Sequence, residues 1–109
     1  MKLIIAIVQD EDSSKLVSAL MSEGYSVTKL ATTGGFLRAG NTTLLIGVED
    51  NKLDGAMAVI EKTCKTRKQI STTPTPVSGN NASFVPYPIE VMVGGATVFV
   101  MNVDQFKKF

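Results

Sequence analysis

The sequence has no histidine, no tryptophan and a single cysteine among its 109 residues. Without histidine a Ser-His-Asp relay cannot be assembled, and the common zinc-ligand sets lose their nitrogen donors. The lone cysteine, Cys64, excludes a disulfide within the chain. No apolar run reaches the roughly 18 residues that a membrane-spanning helix requires. An excess of one charge is lacking as well. Eleven Lys and Arg against ten Asp and Glu leave a net charge of +1, which speaks against a broad nucleic-acid face driven by counterion release. Any anionic ligand would therefore be held by local groups.

What is present is a hydrophobic fraction of 44% with 19% charged residues, the composition of a soluble globular domain. One domain over residues 1–109 is expected, with a modest core and association as the usual way to add buried surface. The opening MKLIIAIVQD reads as a strand, its apolar stretch being too short for a secretory signal, and a cytoplasmic location is the corresponding expectation.

Leu3 to Val8 is an uninterrupted β-rich apolar run, predicting a strand covered on both faces or central in its sheet. Asp10 and Asp12 then offer capping oxygens, Leu16, Ala19 and Leu20 recur at helical spacing, and Gly24 stands where a left-handed C-cap residue would. Tyr25 to Ala31 alternates as a second strand, three glycines interrupt Thr32 to Asn41, and Thr42 to Val48 resumes as a third, together a hairpin with a long tip. Asn51 and Asp54 are placed to cap a second helix with Leu53, Ala56, Met57, Ile60 and Cys64 on its apolar face and Lys62, Lys65 and Lys68 on its polar one. Cys64 on that stripe is expected to pack in the core. Gln69 to Pro88 contains all four prolines and reads as a long loop, functional or disordered. Ile89 to Val93 and Ala96 to Val100, around Gly94-Gly95, read as a terminal hairpin, and Asp104 to Phe109 as a short helical turn. The order of elements is that of a ferredoxin-like βαββαβ α+β sandwich with one additional C-terminal strand.

The glycine-rich Thr32 to Asn41 segment is the first candidate site, since glycines let backbone N–H groups converge on a phosphate, although such a pair in a hairpin tip often only makes the turn. It lacks the Gly-Lys-Ser/Thr of a P-loop. Phe36 and Leu37 could stack a nucleobase or anchor the loop to a neighbouring subunit. Phe99 alternates with Val98 and Val100, for which core packing is the simpler reading, and Arg38 reads as a solvated charge. Glu11, Asp12, Glu49 and Asp50 fall at element junctions, where capping accounts for them.

Thr28-Lys29-Leu30-Ala31-Thr32-Thr33-Gly34-Gly35-Phe36-Leu37-Arg38-Ala39-Gly40-Asn41-Thr42-Thr43 resembles the signature of the PII-like cyclic di-AMP receptors of Gram-positive bacteria. Ile5-Ala6-Ile7-Val8-Gln9-Asp10, Val85-Pro86-Tyr87-Pro88 and Val93-Gly94-Gly95-Ala96-Thr97-Val98-Phe99-Val100 extend the likeness along the chain. The resemblance implies a ferredoxin-like fold, a homotrimer, and one cyclic di-AMP in each inter-subunit cleft. It implies a receptor with no enzymatic activity and no cofactor, whose loops rearrange on binding so that a downstream protein partner reads the ligand state. By the same resemblance Gly35, Phe36, Leu37 and Asn41 belong to the ligand loop, Thr28 and Gly47 to the strands behind it, and Phe99 to the cleft wall. Ser26 stands where the family often has Arg, and Lys108 where it usually has Gln.

Three other readings compete. A PII-type receptor for ATP or ADP would call for more positive charge around a triphosphate. A small ferredoxin-like hydrolase of acylphosphatase type would nominate Arg38 and Asn41, which here fall on a hairpin tip and not on the loop after the first strand. An interaction module without a ligand would use the Gln69 to Pro88 segment for docking.

Overall fold

A computed structural model describes residues 1–30, 40–76 and 84–109 of the chain. Its elements run β1 (Lys2–Gln9), α1 (Asp10–Ser22), β2 (Ser26–Leu30), β3 (Asn41–Val48), a 3₁₀ turn (Asp50–Lys52), α2 (Leu53–Cys64), β4 (Arg67–Pro76), β5 (Phe84–Val93) and β6 (Ala96–Asn102). The principal sheet is antiparallel in the order β2-β3-β1-β6. Two helices and antiparallel sheets make a mixed α+β fold that fits the ferredoxin-like expectation.

β1 occupies the interior of this sheet between β3 and β6, as its continuous apolar run predicts. Only one of its faces meets the helices. Ile4, Ala6 and Val8 are buried against Leu16 and Leu20 of α1 and Ala56, Ile60 and Cys64 of α2, joined by Leu44, Ile46 and Val48 of β3. Each fully buried leucine or isoleucine here contributes about 1.5–3 kcal/mol of transfer free energy. The helical faces follow from i, i+4 spacing, which puts Leu16 above Leu20 and Ala56 above Ile60 and Cys64.

Several expectations are corrected. The described parts of Gln69 to Pro88 are strands and not loop: β4 and β5 form a separate two-stranded antiparallel ribbon, registered from Arg67↔Val93 to Pro76↔Phe84, with residues 77–83 outside the described residues. Proline signals a break because it lacks a ladder donor, but in a two-stranded ribbon every strand is an edge and has positions that need none. The ribbon stretches the molecule to 66 × 30 × 20 Å with a radius of gyration of 18.7 Å, against about 13 Å for a compact chain of this length. Ile89 to Val93 therefore pairs with β4 and not with Ala96 to Val100, and β6 pairs with β1. β6 fills the fourth place in the principal sheet, so the extra strands lie in the ribbon before it and no strand is added after it among the described residues.

The Gly94-Gly95 pair is a junction between two sheets. Gly94 has φ +83°, and a Cβ there would stand 2.5 Å from Arg67 Nη1 and 2.8 Å from the Lys65 carbonyl oxygen, so both conformation and space require glycine. The Gly94 N–H donates to Gln9 Oε1 at 2.8 Å, and the Gly95 N–H to the Cys64 carbonyl. The anticipated caps are also different. α1 begins after Gln9 and α2 after Lys52, neither with a side-chain cap. Asp10 instead accepts from Thr42 Oγ1, and Asp12 is taken by Arg67. Gly24 does follow α1 at φ +88°, Lys68 lies in β4 beyond the end of α2, and Asp104 to Phe109 contains no helical turn.

Asp12 is 1% exposed and receives Arg67 Nη2 at 2.8 Å and Nη1 at 3.3 Å. This fork holds the base of the ribbon to α1. Arg67→Ala should leave a buried carboxylate without its partner and lower stability. Urea unfolding reads the loss, and a midpoint equal to the parent's would show that water screens Asp12. Cys64 is fully buried, and its thiol is pushed up to about 11 by that burial and by the Asp12 charge, with Arg67 opposing. At pH 8 a disulfide reagent should label it only after unfolding. Rapid labelling of the native protein would refute that.

Candidate functional site

Side chains alternate along strands, so the register sorts each residue to one face of the sheet. With Ile4, Ala6 and Val8 on the helices, Leu3, Ile5 and Ile7 point the other way, and their partners follow: Gly47, Leu45 and Thr43 on β3, and Met101, Phe99 and Thr97 on β6. On β2 the same face carries Ser26, Thr28 and Leu30. Neither helix covers this second face.

All four described residues of the expected site lie on it. Thr28, Leu45, Ile5 and Phe99 form a single row across the four strands. Gly47 is one row away beside Ser26 and Leu3, and Asn41 is at the far end of β3 opposite Gln9. Gly35, Phe36 and Leu37 fall outside the described residues, as does Arg38. Strand spacing puts the backbones of Thr28 and Phe99 about 14 Å apart, and Asn41 is about 13 Å along β3 from Leu45. One chain thus brings Thr28 and Gly47 together and keeps Phe99 and Asn41 at separate places on the same surface. Phe99 is 53% exposed, so the expectation that it packs in the core of its own chain is corrected: alternation correctly separates its face from that of Val98, but Val98 is the one that meets the core.

Thr28 and Gly47 line a groove of about 470 Å³, with Met1, Leu3, Ser26, Leu45, Val103 and Phe106 as its other walls. The volume lies within the usual range for small-molecule sites. Among the described residues its lining is apolar apart from two hydroxyls, Ser26 and Thr28, and the Met1 ammonium, which is paired with Asp50 at 2.9 Å. A flat, neutral heterocycle with a few edge donors and acceptors suits such walls, whereas a triphosphate does not. Two smaller hollows on the helical side, between α2 and β6 and between α1 and β2, contain none of the expected residues.

Ser26, Val103 and Phe106 are not among the expected site residues. The sequence carries no sign that the segment after β6 returns to β2. The Val103 N–H donates to the Met1 carbonyl at 3.1 Å, one rung beyond the β1–β6 ladder, and Phe106 three residues later lines the groove beside Ser26 and Thr28. Ser26-Val27-Thr28-Lys29 also has the literal Ser-x-x-Lys spacing, in which lysine can activate serine. On β2 the two residues project from opposite faces, Ser26 into the groove and Lys29 toward Ser14 and Ser18 of α1, so Lys29 does not serve Ser26 as a base. Among the described residues no cluster of three or more potential metal ligands occurs, and no helix is long and apolar enough to cross a membrane.

These features define a small α+β protein with a neutral groove on the uncovered face of its sheet. The chain belongs to the cyclic-di-AMP receptor family, which it matches over residues 1–109. It is also similar to a solved structure from Pediococcus pentosaceus ATCC 25745, described as a functionally unknown protein, at 44% identity and a TM-score of 0.77, over 99% of this chain and 96% of that one.

Gly47 offers a direct probe of the groove. A Cβ added there meets nothing within 4 Å, so Gly47→Val should fold at least as well as the parent, valine being the better strand former by up to about 1 kcal/mol. Its methyls would occupy the groove. Unchanged or raised thermal stability with binding of cyclic di-AMP weakened at least about tenfold is expected, and full-strength binding by this variant would place the ligand elsewhere.

Proposed function

We propose that the protein is a non-enzymatic signal receptor for cyclic di-AMP that works as a homotrimer, with the ligand between subunits and a protein partner reading the ligand-dependent state of its loops. The observation that carries this reading is the placement of Thr28, Gly47, Asn41 and Phe99 on one uncovered sheet face, in a chain that matches the receptor family from end to end. Thr28 and Gly47 would hold one base, while Asn41 and the Gly35, Phe36 and Leu37 segment would close over the ligand. Phe99 is too far along its row to join Thr28 within one chain, and a neighbouring copy supplying its own Phe99 would complete the cleft.

Association has independent physical support. Leu3, Ile5, Ile7 and Leu45 form an apolar strip on the face that the helices leave uncovered, continued by the half-exposed Phe99 and Met101. The continuous apolar pattern of β1 has a reason only if both of its faces are covered. The largely apolar lining of the groove among the described residues suits a nucleobase.

Calorimetry with cyclic di-AMP, ATP and cyclic di-GMP, together with light scattering, tests the proposal. Cyclic di-AMP alone should bind tightly, to a trimer, and at a hundredfold excess over its dissociation constant should raise stability by about 2.7 kcal/mol. A stable monomer at micromolar concentration would remove the cleft, and preferential binding of ATP would favour the other receptor reading.

A further inference from the structure

The hollow between α1 and β2 is lined by Ser13, Ser14, Val17, Ser18 and Lys29 and has a volume of about 290 Å³. It lies on the helical side of the sheet, since Lys29 is paired in register with the buried Leu44 and so shares its face. α1 carries serine at four of its 13 positions, Ser13, Ser14, Ser18 and Ser22, although serine is a poorer helix former than alanine or glutamate. A serine within a helix either returns its proton to a carbonyl about one turn back or directs it outward. Ser13 donates to the Asp10 carbonyl at 2.8 Å and Ser22 to the Ala19 carbonyl at 2.8 Å. Among the described residues Ser14 and Ser18 make no such bond and Lys29 makes no ion pair.

Ser14 and Ser18 are four residues apart on one helical face, with Cβ atoms about 5–6 Å from each other. Two unused hydroxyls and one ammonium thus border a hollow whose lining holds no carboxylate. Three donors without an acceptor complement a tetrahedral oxyanion: the ammonium supplies the countercharge, and each hydroxyl bonds an ionised oxygen, which makes it shorter and stronger than a neutral hydrogen bond. An apolar group would leave all three donors unpaired, and a divalent cation would meet an ammonium and none of the carboxylates it needs.

We propose that this hollow is a second binding site, one for a phosphate group, with Lys29 as the countercharge and Ser14 and Ser18 as the directing donors. The phosphate is either the free ion or the phosphoryl end of a small metabolite. The site is independent of the cyclic di-AMP reading, because this hollow and the groove on the opposite face share no residue.

Amide NMR of the full chain tests the site, with potassium phosphate and ribose 5-phosphate titrated separately against potassium chloride at matched ionic strength. Saturable shifts centred on residues 13–18 and 29, with a Kd of about 1 mM, are expected for the parent. Lys29→Met keeps most of the side-chain bulk without the charge and should weaken binding at least about tenfold. The double variant Ser14→Ala, Ser18→Ala gains helix propensity and should still lose at least about fivefold. Tighter binding of ribose 5-phosphate identifies a phosphorylated metabolite and tighter binding of inorganic phosphate the free ion, and either supports the site. Shifts that never saturate or that potassium chloride reproduces mean an adventitious ion only and overturn the proposal. Shifts centred on other residues, or binding by Lys29→Met at the parent's strength, overturn it equally.

Discussion

The fork between Arg67 and the buried carboxylate of Asp12 fixes how the two halves of this molecule are joined. Arg67 is the first residue of the ribbon and Asp12 lies in the first turn of α1. Around the pair, Gln9 receives the Gly94 N–H, and Asp10 receives the Thr42 hydroxyl while its own N–H donates to the Gly40 carbonyl at 2.8 Å. The short stretch from Gln9 to Asp12 thus anchors both the base of the ribbon and the chain where it re-enters the sheet after the glycine-rich segment. Carboxylates that read as helix caps in the sequence are used instead as tertiary ties, which is why α1 starts without a side-chain cap.

The second organising feature is a sheet that its own helices cover on one side only. Its helical side has a dense core of small and branched residues. The opposite side displays apolar side chains on all four strands, and the groove is the part of that surface that the segment after β6 has walled in. Ile5 and Phe99 lie in the same row of that face as Thr28, which lines the groove.

Much of the fold was legible because its signals are local. The continuous β1 run, the i, i+4 stripes of α1 and α2, and the positive φ at Gly24 all correspond to short-range patterns that survive folding. The ribbon was not legible, because proline reads as a breaker unless one knows that the strand has a free edge, and that is a property of the partner strand. Gly94-Gly95 signals a special backbone without revealing its task, since a tight turn and a crossing between sheets use the same positive φ. At the site, the resemblance supplied Thr28, Gly47, Asn41 and Phe99, and strand parity explains why they share a face. Ser26 is noted in the sequence as a departure from the resemblance and shares this face by strand parity, whereas the place of Phe106 depends on where the chain goes after β6, which no local pattern encodes.

The pairing of β1 with β6 sets the timetable of folding. Residues 2–8 hydrogen-bond to residues 96–102, so the interior strand of the sheet lacks one of its two neighbours until nearly the whole domain has left the ribosome. During translation at about 5–20 residues per second, β1 can meet α1, β2, β3 and α2 but has an open edge and an apolar outer face. That edge is a template for unwanted pairing with other chains. The domain closes from its two ends, and its folding rate is governed by a contact of long sequence separation, which slows folding relative to a helical protein of the same size.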